Sequence, residues 1–483
     1  MKRLRLRDDQ GVKMENSSER SARQNIQQRV PSPQAHGGAN GKTHGGANGK
    51  THGGVNGAST MPWAQRPAQE VIQNGGTHSQ RWRIALYSPG IVGLGHMRRN
   101  LLIAQTLAAS PLQPVILMIA ESREGGTFAM PPGMDCLTLP ALRKGVDGQC
   151  TSRNLEVSLQ ELVALRSKTI SATLGAFAPD VLIVDYLPRG VVMELDAALA
   201  ALRARGRTRC VLGLRDVLDD PVAIQREWSP VANENIIREY YDMVWVYGDP
   251  AVYDPLREYP FPPDVMAKVR YTGYLDQRLR LQFAELEGSD PLASLSLPPG
   301  RLMLCLVGGG QDGGRLAEAF AQANLPPETN GVIVTGPFMP PEVLQGLRQR
   351  VATHPRLRVL RFIPEPTLLL DRADRVIAMG GYNTVSEILS LEKRALIVPR
   401  MKAHPEQLIR AERLRDLGLL DVLPSDQLSS RALSEWFARD LGPLPQVRDR
   451  IDLNGLARLP GLLRDVLAGP LYPTQSQLQE GSL

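Results

Sequence analysis

The segment Met379–Ile388, MGGYNTVSEI, gathers two glycines, an amide, a hydroxyl and a carboxylate between a short apolar run and a helical stretch. Gly380 and Gly381 let the backbone come close to a ligand, while Asn383, Thr384 and the first helical N–H groups offer donors to an anion at the positive end of the helix dipole. A diphosphate fits that description. So does a plainer reading, in which Asn383 or Thr384 is an ordinary helix cap and the glycine pair an ordinary turn. Glu387 favours the first, because it lies one helical turn beyond Asn383 on the same side, where a carboxylate can accept hydrogen bonds from ribose hydroxyls. Two further glycine-rich turns follow predicted strands, GIVGLGH at Gly90–His96 and GGGQDGG at Gly308–Gly314. Each is equally the composition of a simple βα turn.

Such turns need elements to hold them. From Arg81 onward, short β-rich apolar runs alternate with helical periodicity, the pattern of βα units about a parallel sheet. Strands predicted at Arg83–Ser88, Val115–Ala120, Cys136–Leu139, Val181–Asp185, Cys210–Leu214, Met243–Tyr247 and Val269–Gly273 make one doubly wound domain over 81–278, with helices over Met97–Ala109 and Glu156–Ala176. The pattern then lapses into Glu, Ser, Asp and Pro, which predicts a linker over 279–300. A second βα series opens at Arg301–Val307 and continues through Gly331–Thr335, Arg358–Phe362, Arg375–Ala378 and Ala395–Val398. It predicts a second domain over 301–470 and a flexible end over 471–483. Ligands of open α/β sheets bind beyond the carboxyl ends of the strands, so the glycine turns of both domains are expected to face one cleft.

The rest of the chain carries less chemistry. Residues 1–80 lack apolar periodicity and contain HGGANGKT at His36 and again at His44, then HGGVNGAS at His52, a composition unable to offset chain entropy. A disordered tail is expected. It carries 11 of the 56 Lys and Arg and 5 of the 50 Asp and Glu, leaving 45 of each sign for the remainder, so the folded part is neutral and no nucleic-acid partner is expected. Cys136, Cys150, Cys210 and Cys305 show no paired spacing, which argues against a disulfide framework or a zinc site. With no run approaching the roughly 20 apolar residues of a membrane span, a cytoplasmic location is expected, peripheral contact at the inner face of the membrane being left open.

The stretch GGYNTVSEILSLEKRALIVPRMKAHPEQLIRAERL, Gly380–Leu414, resembles the donor-binding region of GT-B glycosyltransferases. It resembles in particular the bacterial GlcNAc transferase of peptidoglycan synthesis, with its family 28 C-terminal domain, and looks like the corresponding signature of UDP-sugar transferases. The resemblance implies an α/β fold of two Rossmann-like, doubly wound domains facing a cleft. It assigns the diphosphate to Gly380, Gly381, Asn383 and Thr384, the ribose to Glu387, the sugar hydroxyls to Glu406 and Gln407, and the nucleobase to Phe362 and Ile363. GGGQDGG resembles the glycine loop that opens the donor domain, with Gly309 and Gly310 in it. One departure is Met379, where plant-type members have a phosphate-contacting histidine.

In the first domain, Gly93–Leu94–Gly95–His96 resembles the family's N-terminal glycine loop. That implies His96 as the base that deprotonates the acceptor hydroxyl, a task suited to an imidazole. Asp185 resembles the aspartate that orients such a histidine in plant-type members; a helix cap at His96 and a turn at Asp185 are the plainer alternatives. Arg98, Arg99 and Arg215–Asp216 could meet an acidic acceptor or simply be solvated. The implied reaction is inverting transfer of a hexose or N-acetylhexosamine, with the nucleotide sugar as co-substrate and a small-molecule, lipid or glycan acceptor. No cofactor and no metal are expected, and the chain contains no Asp-x-Asp pair. An epimerase or hydrolase of the same fold, or a silent subunit binding a partner transferase, are the alternatives.

Overall fold

The computed structural model describes residues 81–90, 95–121, 130–144, 149–228, 233–286, 292–363, 365–400 and 405–469. The expected tail over 1–80, the end over 471–483 and Gly93 of the first glycine loop lie outside the described residues.

Apolar runs such as RIALYS and VLIVD have almost every residue buried, as strands covered on both faces must. The first sheet contains β1 (Arg83–Ser88), β2 (Val115–Ala120) and β3 (Met134–Thr138). A small antiparallel hairpin follows, β4 (Leu142–Lys144) with β5 (Cys150–Ser152). The sheet resumes with β6 (Val181–Asp185), β7 (Arg209–Arg215), β8 (Met243–Tyr247) and β9 (Val269–Tyr271). Its seven strands are parallel and run β3-β2-β1-β6-β7-β8-β9. The second sheet consists of β10 (Arg301–Leu306), β11 (Thr329–Val334), β12 (Leu357–Leu360), β13 (Arg375–Ala378), β14 (Arg394–Ile397) and β15 (Asp421–Val422), in the order β12-β11-β10-β13-β14-β15. The strand order reverses beside β1 in one sheet and beside β10 in the other, and each reversal leaves a crevice at the carboxyl ends of the strands.

Seven helices matter for the site: α1 (Gly95–Ala109), α2 (Leu159–Phe177), α3 (Leu279–Leu286), α4 (Thr367–Arg372), α5 (Tyr382–Ser390), α6 (Glu406–Asp416) and α7 (Gly455–Ala468). Ser158 and Glu161 close a capping box at the start of α2, which starts it three residues later than the apolar pattern predicts. Two departures from the expected domain plan are structural. The stretch expected as a linker begins with α3, which packs on α4. The last helix of the expected second domain, α7, packs instead on α1, and Leu459 and Leu463 share a core with Leu102 and Leu107. Backbone hydrogen bonds from Tyr274 to Asp452 and from Gly455 to Tyr274 tie that return crossing down. Among the described residues, no helix is long and apolar enough to cross a membrane.

Candidate active site at the seam between the two sheets

The turn after β1 delivers His96 to the first turn of α1, and β6, the neighbour of β1, ends on Asp185. The two side chains meet with His96 Nδ1 2.9 Å from Asp185 Oδ2. Asp185 is fully buried and receives two more donors, Arg99 Nη2 at 2.5 Å on Oδ1 and Asn100 Nδ2 at 2.9 Å on Oδ2. Burial alone would raise its carboxyl; Arg99 and then His96 outweigh that and hold it down to about 2. An ionised carboxylate only accepts, so Nδ1 must carry the proton. Among the described residues nothing hydrogen-bonds Nε2, which is left as the basic nitrogen. Burial lowers the imidazole from its ordinary value, against the opposing pull of Asp185, and 22% of the side chain remains exposed.

The second sheet brings its own glycine turn to the same seam. β13 runs into Gly380 and Gly381, and α5 starts at Tyr382 with Gly381 as its N-cap and no side chain capping it. The N–H groups of that first turn thus have no side-chain cap, an arrangement suited to an anion. Asn383 and Thr384 are half-buried there. Gly95 and Asn383 are in direct apposition: a methyl group on Gly95 would displace the Asn383 amide, so the two helix starts approach closely there. In the loop after β10, Gly310 adopts φ +94°, and a side chain there would strike the Thr335 carbonyl; Gly309 accepts from the Phe338 N–H at 2.9 Å. Phe362 and Ile363 are half-buried just beyond β12.

Glu387, expected to face an opening shared by the two lobes, lies on that seam but is only 1% exposed. Its Oε1 is 3.0 Å from Arg98 Nη1 of α1 and makes no hydrogen bond. Arg98 also donates to Glu365 at 2.7 Å, and Arg280 of α3 reaches Glu365 at 2.8 Å. Burial would raise Glu365, but Arg98 and Arg280 hold it at about 2, whereas burial wins at Glu387 and raises it. A carboxyl depressed in the folded state stabilises the protein above its unfolded value and loses that contribution as pH falls toward the folded value. Glu365, ordinarily at 4.5, and Asp185, ordinarily at 3.8, are therefore each expected to withdraw about 2–3 kcal/mol between roughly pH 5 and pH 2. Glu387 opposes this in part, since a raised carboxyl gains stability as pH falls. Urea midpoints at pH 6 and pH 3 read the balance.

A second ionic group joins the lobes. Arg410 of α6, 0% exposed, donates from Nη2 to Asp216 Oδ1 at 2.8 Å, from Nη1 to Glu406 Oε2 at 2.7 Å and from Nη1 to the Gly380 carbonyl at 3.1 Å. Tyr274 completes it, its hydroxyl donating to Asp216 Oδ2 at 2.7 Å. Gln407 Oε1 accepts from the Arg400 N–H at 3.1 Å, and its Cβ packs beside Gly380. Thus Glu406 and Gln407 sit against the glycine turn, with Glu406 partly committed to Arg410.

Arg98, Arg99 and Asp216 are neither solvated nor open to an acceptor: each is locked into an ion pair, while Arg215 lies over the Tyr186 ring at 4.2 Å. Asn100, Glu365 and Arg410 are site residues that the motifs do not reveal. A signal existed for Asn100 and Arg99, which follow His96 at the i+4 and i+3 positions and so share its helix face. Among the described residues, no three His, Cys, Asp or Glu side chains gather where they could hold a metal ion.

A model of the glycosyltransferase family 28 C-terminal domain matches residues 303–441. An uncharacterised glycosyltransferase of Methanosarcina acetivorans is 24% identical over 322 residues, covering 65% of this chain and 79% of that protein. CalG4, the calicheamicin glycosyltransferase, superposes with a TM-score of 0.51 at 17% identity, covering 81% of this chain and 100% of its own. UDP-GlcNAc 2-epimerase from Neisseria meningitidis, bound to UDP-GlcNAc, gives 0.52 at 13% identity over 80% of this chain and 99% of its own. At such identities the two solved structures speak to the fold, and the matched domain and the relative to the activity. Residues 303–441 carry the family 28 C-terminal domain, and the chain is a glycosyltransferase of the GT-B fold.

Proposed function

We propose that the protein moves a hexose or N-acetylhexosamine from a nucleoside-diphosphate sugar, UDP-linked, to an acceptor hydroxyl, with inversion and without a metal. The observation that carries this reading is the meeting of an oriented histidine from one lobe with an uncapped helix start from the other, Gly95 beside Asn383. His96 Nε2 takes the acceptor proton as the hydroxyl oxygen bonds to the anomeric carbon. The bond from that carbon to the diphosphate oxygen breaks, and the leaving charge is met by the N–H groups at the start of α5, Asn383 and Thr384. Dipoles and amide donors supply what a divalent ion would otherwise provide, which supports the metal-free reading. Ribose binding is assigned to Glu387 by its place one turn beyond Asn383; its buried Oε1, ion-paired with Arg98 at 3.0 Å, would have to exchange that partner for ribose hydroxyl donors. Glu406 and Gln407 read the sugar, Phe362 and Ile363 the base, and Gly309 and Gly310 let the donor approach.

The test is thermal unfolding with UDP in wild type and Glu387→Ala. At about 100 times its dissociation constant, UDP is expected to add about 2.7 kcal/mol to wild-type stability, and much less to the variant at the same concentration. Equal gains in both proteins would remove Glu387 from the site, and no gain with any nucleoside diphosphate would end the transferase reading. Release of free sugar or its epimer without acceptor would assign the site to hydrolysis or epimerisation instead.

A further inference from the structure

We propose that Arg99 is a positioning residue for the His96–Asp185 pair: gripped between aromatic rings from both lobes, it holds the Asp185 carboxylate so that His96 stays a neutral base with Nε2 free. The inference rests on His96 as the base and adds a residue that touches neither donor nor acceptor. Arg99 is 1% exposed, and its Nη2 lies 2.5 Å from Asp185 Oδ1 and 3.0 Å from His96 Nδ1. Because Nδ1 must spend its proton on Oδ2, the approach of Arg99 to that nitrogen is not a hydrogen bond but a cation against an N–H. It favours the neutral ring.

Charge balance makes the same point. Arg99 and ionised Asp185 sum to zero, so a proton on His96 would leave a buried net positive charge; without Arg99 the pair would be a buried anion that draws a proton in. Among the other groups facing the histidine, one further cation acts in the same sense. Arg215, from the end of β7, also opposes protonation, while Tyr186 lies tilted by 39° at 5.7 Å between ring centroids and Asn100 is an amide. Tyr247 and Tyr382 are kept neutral by burial.

Those two tyrosines form the grip. The Arg99 guanidinium carbon is 5.1 Å from the Tyr382 ring centroid and 5.7 Å from that of Tyr247, and the Tyr382 hydroxyl donates to the Tyr247 carbonyl at 2.8 Å. Arg99 Nε makes no hydrogen bond, so Asp185 and the two ring faces are what fix the group. Tyr382 is the first residue of α5, the helix proposed to bind the diphosphate, so the state of the base depends on the approach of the second lobe.

The test is the titration of the His96 Cε1–H by NMR, assigned by its disappearance in His96→Asn. Arg99→Met and Arg99→Gln are expected to raise the midpoint by about one pH unit or more, and Tyr382→Leu to raise it less. Arg99→Lys, which keeps the charge, is expected to titrate close to wild type. An unmoved midpoint in Met or Gln variants with native near-ultraviolet circular dichroism overturns the proposal, as does a lysine variant that titrates like the methionine one. An unmoved midpoint in Tyr382→Leu overturns the grip. The readout is independent of turnover: if His96→Ala left transfer intact while Arg99→Met still shifted the midpoint, the catalytic reading would fall and the positioning role would stand.

Discussion

Alanine in place of His96 is expected to slow acceptor-dependent release of the nucleoside diphosphate by about 100- to 10,000-fold, the span over which a positioned base acts. That corresponds to about 3–5 kcal/mol of barrier. Affinity for the diphosphate, measured by calorimetry, is expected to stay within about twofold, because the imidazole is engaged by Asp185 and not by the start of α5. Asp185→Asn tests the same geometry from the other side: an amide can donate to Nδ1, which would place the ring proton on Nε2 and abolish the base. The pH profile carries a sign. Protonated imidazole cannot accept the acceptor proton, and burial lowers the midpoint from 6.5, so the acid limb is expected below that value with the rate level above it. A His96→Ala enzyme with undiminished turnover would show that another group takes the proton.

The largest expected loss of stability comes from Arg410→Met. The guanidinium is buried between Asp216 and Glu406, so its removal leaves Asp216 without its cation and Glu406 with only Arg400, 3.8 Å away. Breaking one side of such a group costs about 3–5 kcal/mol, since the remaining charge is stranded rather than released to water. Urea unfolding of the two proteins at neutral pH reads it. One accompanying change identifies the mechanism: UDP affinity should weaken, because Arg410 also anchors the Gly380 carbonyl. A loss under about 1 kcal/mol would mean that water or rearrangement satisfies the carboxylates.

Much of the scaffold was legible in the chain. The runs at Arg83–Ser88, Val115–Ala120, Val181–Asp185, Met243–Tyr247 and Arg375–Ala378 form strands with those bounds, because strands buried on both faces must be apolar throughout. The hairpin of β4 and β5 was not, its three-residue strands being too short for any alternation to register. The two-residue β15 escaped for the same reason. α3 was hidden by the turn-forming residues just after it, which dominate the composition of 279–300. In the site, glycine turns and strand ends announce themselves locally. Ion pairs do not: Arg410 and Asp216 are 194 residues apart, and Arg98 and Glu365 are 267 apart. No periodicity links such residues, since only the approach of two separately folded sheets makes them neighbours.

The return of α7 to α1 also orders events during synthesis. The first sheet is complete by residue 271, yet the apolar flank of α1 is covered by side chains that leave the ribosome nearly two hundred residues later. Until then the lobe that emerges first carries an open hydrophobic face, the kind of surface that chaperones hold and that aggregates form on. A chain cut short before Gly455 would keep that exposure permanently, even though every strand of both sheets had been made.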